Sequence, residues 1–310
     1  MTLICARLSH SHYAGLMLAL LAGVAILLPV SAQQSCDKTQ TSQVQIKAGE
    51  QNMSRLTQAV LEHDTDARNI ASTMGQAALN ELAPLLAHQD ASIRLRAVMA
   101  LGGVDILISK TALFSALDDA DPNVMHAALA EIEQQQAKLS VPLLVGLLDR
   151  LQDDNAKNRL ILILGQRLDI TQSAALEKYC NVDQAVSVAL HSMAALAKIG
   201  VEQRRKQFSA YLLTIKDADT FAEAFQLVEY INQPWLVATL RQLLSNKQQY
   251  KSLGGHFPGF PTTIRVCDAV VMLIGALLPQ LTLSFDASVY ANFSDEQIAE
   301  LNYASAKVKY

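Results

Sequence analysis

Residues 82–104 read LAPLLAHQDASIRLRAVMALGGV. Leu82, Leu85 and Leu86 fall on one face of a helix. Asp90 interrupts that helix and is a residue type that caps the next one. Ile93, Ala97, Ala100, Leu101 and Val104 then form a second apolar stripe at spacings of three and four. The stretch therefore predicts a helix, an aspartate-bearing turn and a second helix, with alanines where helices come close.

The same arrangement recurs downstream. Leu113 and Leu117 precede Asp121-Pro-Asn-Val124, and Ala128 and Ile132 follow. Leu144, Leu147 and Leu148 precede Asp153, then Leu160, Ile163 and Leu164. Leu176 and Tyr179 precede Asp183, and Leu212 and Leu213 precede Asp217. The turn aspartates Asp90, Asp121, Asp153, Asp183 and Asp217 lie 31, 32, 30 and 34 residues apart. A period near 30 with two helices per unit predicts an all-α superhelix, an α-solenoid, because one helical pair cannot bury its own apolar face. Recurrence at every turn also gives these aspartates a structural role as turn and cap residues. Chemistry would not repeat at each turn.

The quoted stretch resembles the HEAT repeat, through Asp90, Ile93, Arg94, Ala100, Leu101 and Gly102. Asp121 and Val124 match in the second unit, where Met125 replaces the arginine. The resemblance covers residues 82–230, and 262–275 weakly. It implies a stack of HEAT-like pairs with a groove lined by second helices, usually for a protein or peptide. Some metal-dependent hydroxylases and bilin lyases are built on similar repeats. The hydroxylases use His-Glu pairs, and this sequence has no His-Glu dipeptide.

Upstream, Ala14–Val30 is an uncharged apolar run preceded by Arg7, and Val30-Ser31-Ala32 closes it with small residues. This is the form of a secretory signal peptide over residues 1–32, with cleavage between Ala32 and Gln33. The alternative is an uncleaved anchor, for which the run is short beside the roughly 20 residues that span a bilayer. The reading places the protein outside the cytoplasm, periplasmic or secreted. Residues 33–50 are polar and aperiodic, a leader. Residues 51–232 carry the repeats, with helices expected at 51–61 and 67–79. Residues 233–310 form a degenerate repeat and a cap.

That last section opens with a helix over 236–244. Glycines and prolines then interrupt regular helix around 252–263, where His256, Phe257 and Phe260 offer aromatic surface for a partner. Arg265 and Asp268 stand a helical turn apart and can pair. Residues 281–293 read as extended, and Ser294-Asp-Glu-Gln297 is a capping box for a final helix.

Charge and motif content narrow the function. The whole chain has 25 basic and 29 acidic residues, a net of -4. Removing residues 1–32 takes away only Arg7, so the remainder stands at -5. A duplex-binding protein needs a basic face, so no nucleic acid partner is expected. There is no phosphate loop, no Gly-x-Ser-x-Gly and no HExxH, and the seven histidines are scattered. No cofactor, metal or catalytic set is therefore expected. Cys36, Cys180 and Cys267 remain after the signal, too few for a disulfide framework. These features point to a non-catalytic scaffold of the cell envelope that binds a protein or peptide along the groove. The alternative is an enzyme or accessory lyase with its site near the 252–263 loop.

Overall fold

The first turn of a helix has N–H groups with no intrahelical partner, and the last turn has carbonyls in the same position. How this chain satisfies each set explains its architecture. A computed structural model describes residues 53–181, 184–252 and 261–309. Helices follow one another as antiparallel pairs: α1 (Arg55–Leu61) with α2 (Ala67–Met74), α3 (Gln76–Leu86) with α4 (Ala91–Leu101), and α5 (Ile106–Ala116) with α6 (Pro122–Gln134). Next come α7 (Val141–Arg150) with α8 (Asp154–Arg167), then a short α9 (Ala174–Glu177) with α10 (Val186–Lys198), then α11 (Glu202–Leu212), which packs on α10, and α12 (Ala218–Ile231). The fold is the expected all-α solenoid.

Aspartates start the second helices. Asp90 accepts the Ser92 N–H at 2.8 Å, Asp121 that of Asn123 at 2.8 Å, Asp153 that of Ala156 at 2.7 Å and Asp217 that of Thr220 at 2.8 Å. Pro122 follows Asp121 at the first helical position, where its missing N–H costs nothing. Asp183 lies outside the described residues, and the N-cap of α10 is Ala185, which has no side-chain bond to offer. Sequence reading missed Asp105, which caps α5 through the Leu107 N–H.

The ends of the second helices are closed by the neighbouring pair. Gln135 Nε2 donates to the carbonyls of Gly102 and Val104, both at 3.1 Å. Gln233 Nε2 donates to the Lys198 carbonyl at 2.7 Å. Lys198 Nζ in turn donates to the carbonyls of Tyr230 and Ile231. Arg167 reaches the Gln136 carbonyl. The last turns of α4, α6 and α10 are thus closed by the pair that follows, and that of α12 by the pair before it.

Close approach at these ends uses glycine. A Cβ on Gly165 would lie 2.2 Å from the Tyr230 hydroxyl and 2.6 Å from the Ala195 Cβ. That hydroxyl donates to the Leu162 carbonyl, crossing α10 to tie α12 to α8. Gly102 leaves similar space for the buried Glu131, which pairs with Arg68 at 2.6 Å.

The apolar core runs along the stack as two clusters that meet in α10. Ala195 and Leu196 belong to the first, and Leu190, Ala194 and Ala197 to the second. Exposed ion pairs also link successive units, such as Arg150–Asp118, whose side chains are 54% and 61% exposed. Pairs in that much water contribute little, so the apolar interface holds the stack together.

Three local expectations change. The helix expected over 67–79 breaks at Gly75 (φ +56°), which opens α3 instead. The helix expected over 236–244 is a 3-10 turn (Pro234–Leu236), a single α turn, α13 (Val237–Leu240), and a second 3-10 turn (Arg241–Leu243). Residues 281–293 form no strand. The small sheet is instead an antiparallel pair, β1 (Gln249–Ser252) and β2 (Thr263–Arg265). These lead into α14 (Val266–Leu277), and α15 (Asp295–Ala306) ends the described chain.

Gly165→Ala should destabilise the protein by roughly 1–3 kcal/mol, since overpacking forces α8 and α10 apart. Urea unfolding of the variant beside wild type measures this. Acid should also weaken the fold. Arg94 holds the Asp119 carboxyl below the usual range, Lys178 does so for Asp149, and Lys138 for Asp105. Groups depressed in the folded state stabilise it fully above their unfolded pKa of about 3.9. That contribution is lost as pH falls through the lower folded values. The urea midpoint should therefore drop most steeply below pH 4.

Candidate binding cleft

The C-terminal pairs enclose an open cleft of about 830 Å³ between α12, β1, α14 and residues 278–290. Its shape originates in one buried carboxylate. Asp268, in the first turn of α14, is 0% exposed. Arg265 Nε donates to Asp268 Oδ2 at 2.8 Å and an Arg265 Nη to Oδ1 at 2.7 Å. The backbone N–H groups of Arg265 and Phe293 donate to the same carboxylate, each at 3.0 Å. Arg265 also donates to the Phe293 carbonyl at 2.7 Å. The Asn292 amide, oriented by its neighbours, donates to Asp268 Oδ2 and to the Thr263 carbonyl at 3.0 Å each. The pairing read from the i, i+3 spacing therefore does more than close one helix. It pins residues 292–293 against the start of α14 and leaves residues 278–290 to run along the rim.

The walls are apolar. Phe225 on α12 packs on Tyr250 with ring centroids 5.3 Å apart and planes at 58°. Tyr250 sits at the register shift between Gln249 and Lys251, a β-bulge, which is a device that re-aims a side chain. Met272 and Ala276 line the α14 side. Gly275 lets the rim close, because a Cβ there would stand 2.8 Å from the Ala287 Cβ.

Glu229, Lys251, Asp286 and Tyr290 supply the polar rim. Partial removal from water pushes the Glu229 carboxyl up, and Lys251 opposes this. Burial, then Glu229, then Tyr290 push the Tyr250 phenol up. Ser288 holds Asp286 low, through its hydroxyl and its N–H. Among the described residues the lining contains no histidine or cysteine. This arrangement accepts an apolar group and presents carboxylates at its mouth.

A second polar cluster joins three second helices. Asn158 Nδ2 donates to Ser187 Oγ at 2.8 Å, and that hydroxyl donates to Glu223 Oε1 at 2.5 Å. His191 Nδ1 stands 2.8 Å from the Ser187 carbonyl oxygen. Serine, histidine and glutamate therefore meet, but not as a nucleophile and its base. The hydroxyl proton is directed at the carboxylate, and the near ring nitrogen is used on the backbone. Burial lowers the His191 pKa, which keeps the ring neutral at pH 7. The cluster fastens α8, α10 and α12 together.

The sequence-derived site residues are dispersed. Asp90, Asp121, Asp153 and Asp217 stand one per turn, and Ser294 forms its capping box with Gln297. Asp183, the proposed cleavage pair Ala32 and Gln33, and the contact residues His256, Phe257 and Phe260 lie outside the described residues. Cys180 and Cys267 are both free; burial pushes the Cys180 thiol up to about 11. No helix among the described residues is long and apolar enough to cross a membrane. Sequence reading missed Phe225, Glu229, Tyr250 and Met272. Their segments are separated in sequence, and only a bulge and a helical stripe mark them. Removing one partner of a buried ion pair leaves an uncompensated charge, at a cost of about 3–5 kcal/mol. Arg265→Met should lower stability by that amount and make the chain sensitive to protease within residues 278–293, as limited proteolysis would show.

Comparison with known families agrees with the geometry. Residues 79–165 match the family of HEAT repeats, which takes in α3 through most of α8. A search of curated proteins finds no match. Repeats of this type commonly serve as scaffolds for protein interaction. Residues 79–165 are similar to HEAT repeats, and the later helices continue the all-α stack.

Proposed function

We propose that this chain is a non-catalytic module that binds a protein or peptide segment along its second helices, with the C-terminal cleft as the anchor. The observation that carries this reading is the composition of the cleft. Phe225, Tyr250 and Met272 form an apolar wall under a rim of Glu229 and Asp286. Hot spots of protein interfaces are apolar pockets of this kind, desolvated at the centre and polar at the edge. The rim carboxylates favour a segment with an aromatic or aliphatic anchor beside a basic residue. The HEAT match supports a protein partner over a small substrate.

The module acts outside the cytoplasm in this reading, as a periplasmic or secreted component. Its support is the Arg7, apolar Ala14–Val30 and Val30-Ser31-Ala32 sequence. Expression of the full gene in an exporting bacterial host, followed by N-terminal sequencing, should give a chain that starts at Gln33. A product that retains Met1 would remove the export signal from the account.

Selection from a random peptide library on the immobilised protein tests the anchor. Enriched peptides should share an aromatic or aliphatic residue next to Lys or Arg. Met272→Glu should weaken them roughly thirtyfold, the effect of losing a hot spot of about 2 kcal/mol. Arg150→Ala, at the end of the first helix α7 and away from the cleft, should leave them unchanged. Absence of enriched peptides, or equal binding by Met272→Glu, would overturn the reading.

A further inference from the structure

The outer face of α15 carries a pair of side chains that its own chain does not use. Tyr303 is 67% exposed, the most exposed aromatic among the described residues. Lys307 follows one helical turn later, with its Nζ 3.7 Å from the centroid of the Tyr303 ring. An ammonium over a ring in water stabilises little, so this contact alone does not account for a tyrosine left in solvent. Ala299, Tyr303 and Lys307 share one helix face at spacings of four, and all three are exposed.

The other faces of α15 are tied down. Ile298 and Leu301 are buried on its inner side. Arg241 Nε donates to Asn302 Oδ1 at 2.8 Å, and the Ser284 N–H donates to Glu300 Oε1 at 2.6 Å. Lys247 pairs with Asp295 at the start of the helix. The helix therefore presents a ring and a lysine as one fixed unit. Tyr303 does not line the cleft of its own chain, and these bonds keep α15 from turning it inward.

An aromatic ring beside a lysine is the chemistry the cleft favours. Its reachable apolar lining is Tyr250, Met272, Leu281, Leu283 and Phe285, each partly exposed. Glu229 and Asp286 are exposed at the mouth against one lysine, Lys251, which leaves the mouth acidic. Residues 303–309 carry Lys307 and Lys309, both exposed, and no acid. The volume of about 830 Å³ accommodates a ring with a lysine stem beside it. We propose that the cleft takes α15 of a second copy of this chain, with Tyr303 on the apolar lining and Lys307 at the Glu229 and Asp286 mouth. The proposal rests on the protein-binding reading above and names the partner. The cleft and α15 are different surfaces, so the contact is heterologous. Copies then add head to tail until a ring closes or a filament grows.

Sedimentation velocity on the full chain over a range of concentrations tests it. Wild type should form dimers and larger species as concentration rises. Tyr303→Ala and Met272→Glu should each weaken association roughly thirtyfold, the size of a hot-spot loss, while unfolding at the wild-type temperature. Mixed in equal amounts, these two variants should give a dimer and nothing larger, because the intact cleft of one accepts the intact α15 of the other. Glu229→Lys should also weaken association, and Glu229→Lys combined with Lys307→Glu should regain it. A monomer at every concentration, association untouched by Tyr303→Ala, or no dimer in the mixture would each overturn the proposal. Peptides selected on the cleft separate the two readings. A monomeric chain that still binds them through Met272 loses this proposal alone, and its partner is another protein. A chain that neither associates nor binds them loses both.

Discussion

The carbonyls at the end of each second helix cannot be satisfied by that helix. In this chain the neighbouring pair satisfies them. Gln135 closes α4, Gln233 closes α10 and Lys198 closes α12. A buried carbonyl without a partner costs about 1–3 kcal/mol, so a pair standing alone would lose on polar groups as well as on apolar surface. The two demands act together. Stacking buries the leucine and alanine faces, and the same approach brings a side chain within reach of the orphaned carbonyls. Glycine at positions 102 and 165 permits that approach by leaving room for Glu131, Tyr230 and Ala195.

The stack changes character toward its C-terminal part, where 3-10 turns and a two-stranded sheet replace the regular pairs. At the C-terminal end, Asp268 and Arg265 take over the organising role. Their pairing holds residues 292–293 and turns the irregular stretch after α14 into the rim of a cleft. The candidate cleft therefore sits where the repeat rule runs out.

The repeat was legible in the sequence because it rests on local chemistry. An aspartate that caps a helix and a stripe of leucines and alanines behind it can be read from a single window, and so could the pairing of Arg265 with Asp268. Gly75 was ambiguous, because one glycine in a helical pattern can be tolerated or can end the helix, and only the packing of α3 decides. The run from Pro234 to Leu243 has helical periodicity and yet tightens into 3-10 turns at both ends. The cleft was not legible at all. Phe225, Tyr250 and Met272 lie in separate segments, and become a wall only through tertiary packing and a bulge at Tyr250.

The dependence of each pair on its neighbour is the centre of this account, and native-state hydrogen exchange measures it directly. Pairs closed from both sides must open at the cost of two interfaces, and terminal pairs at the cost of one. Backbone amides of α6, α8 and α10 should therefore exchange most slowly, with protection falling stepwise toward α2 and α15. Protection as high in α2 as in α8, or one uniform value along the chain, would contradict a stack held together by the mutual completion of its pairs.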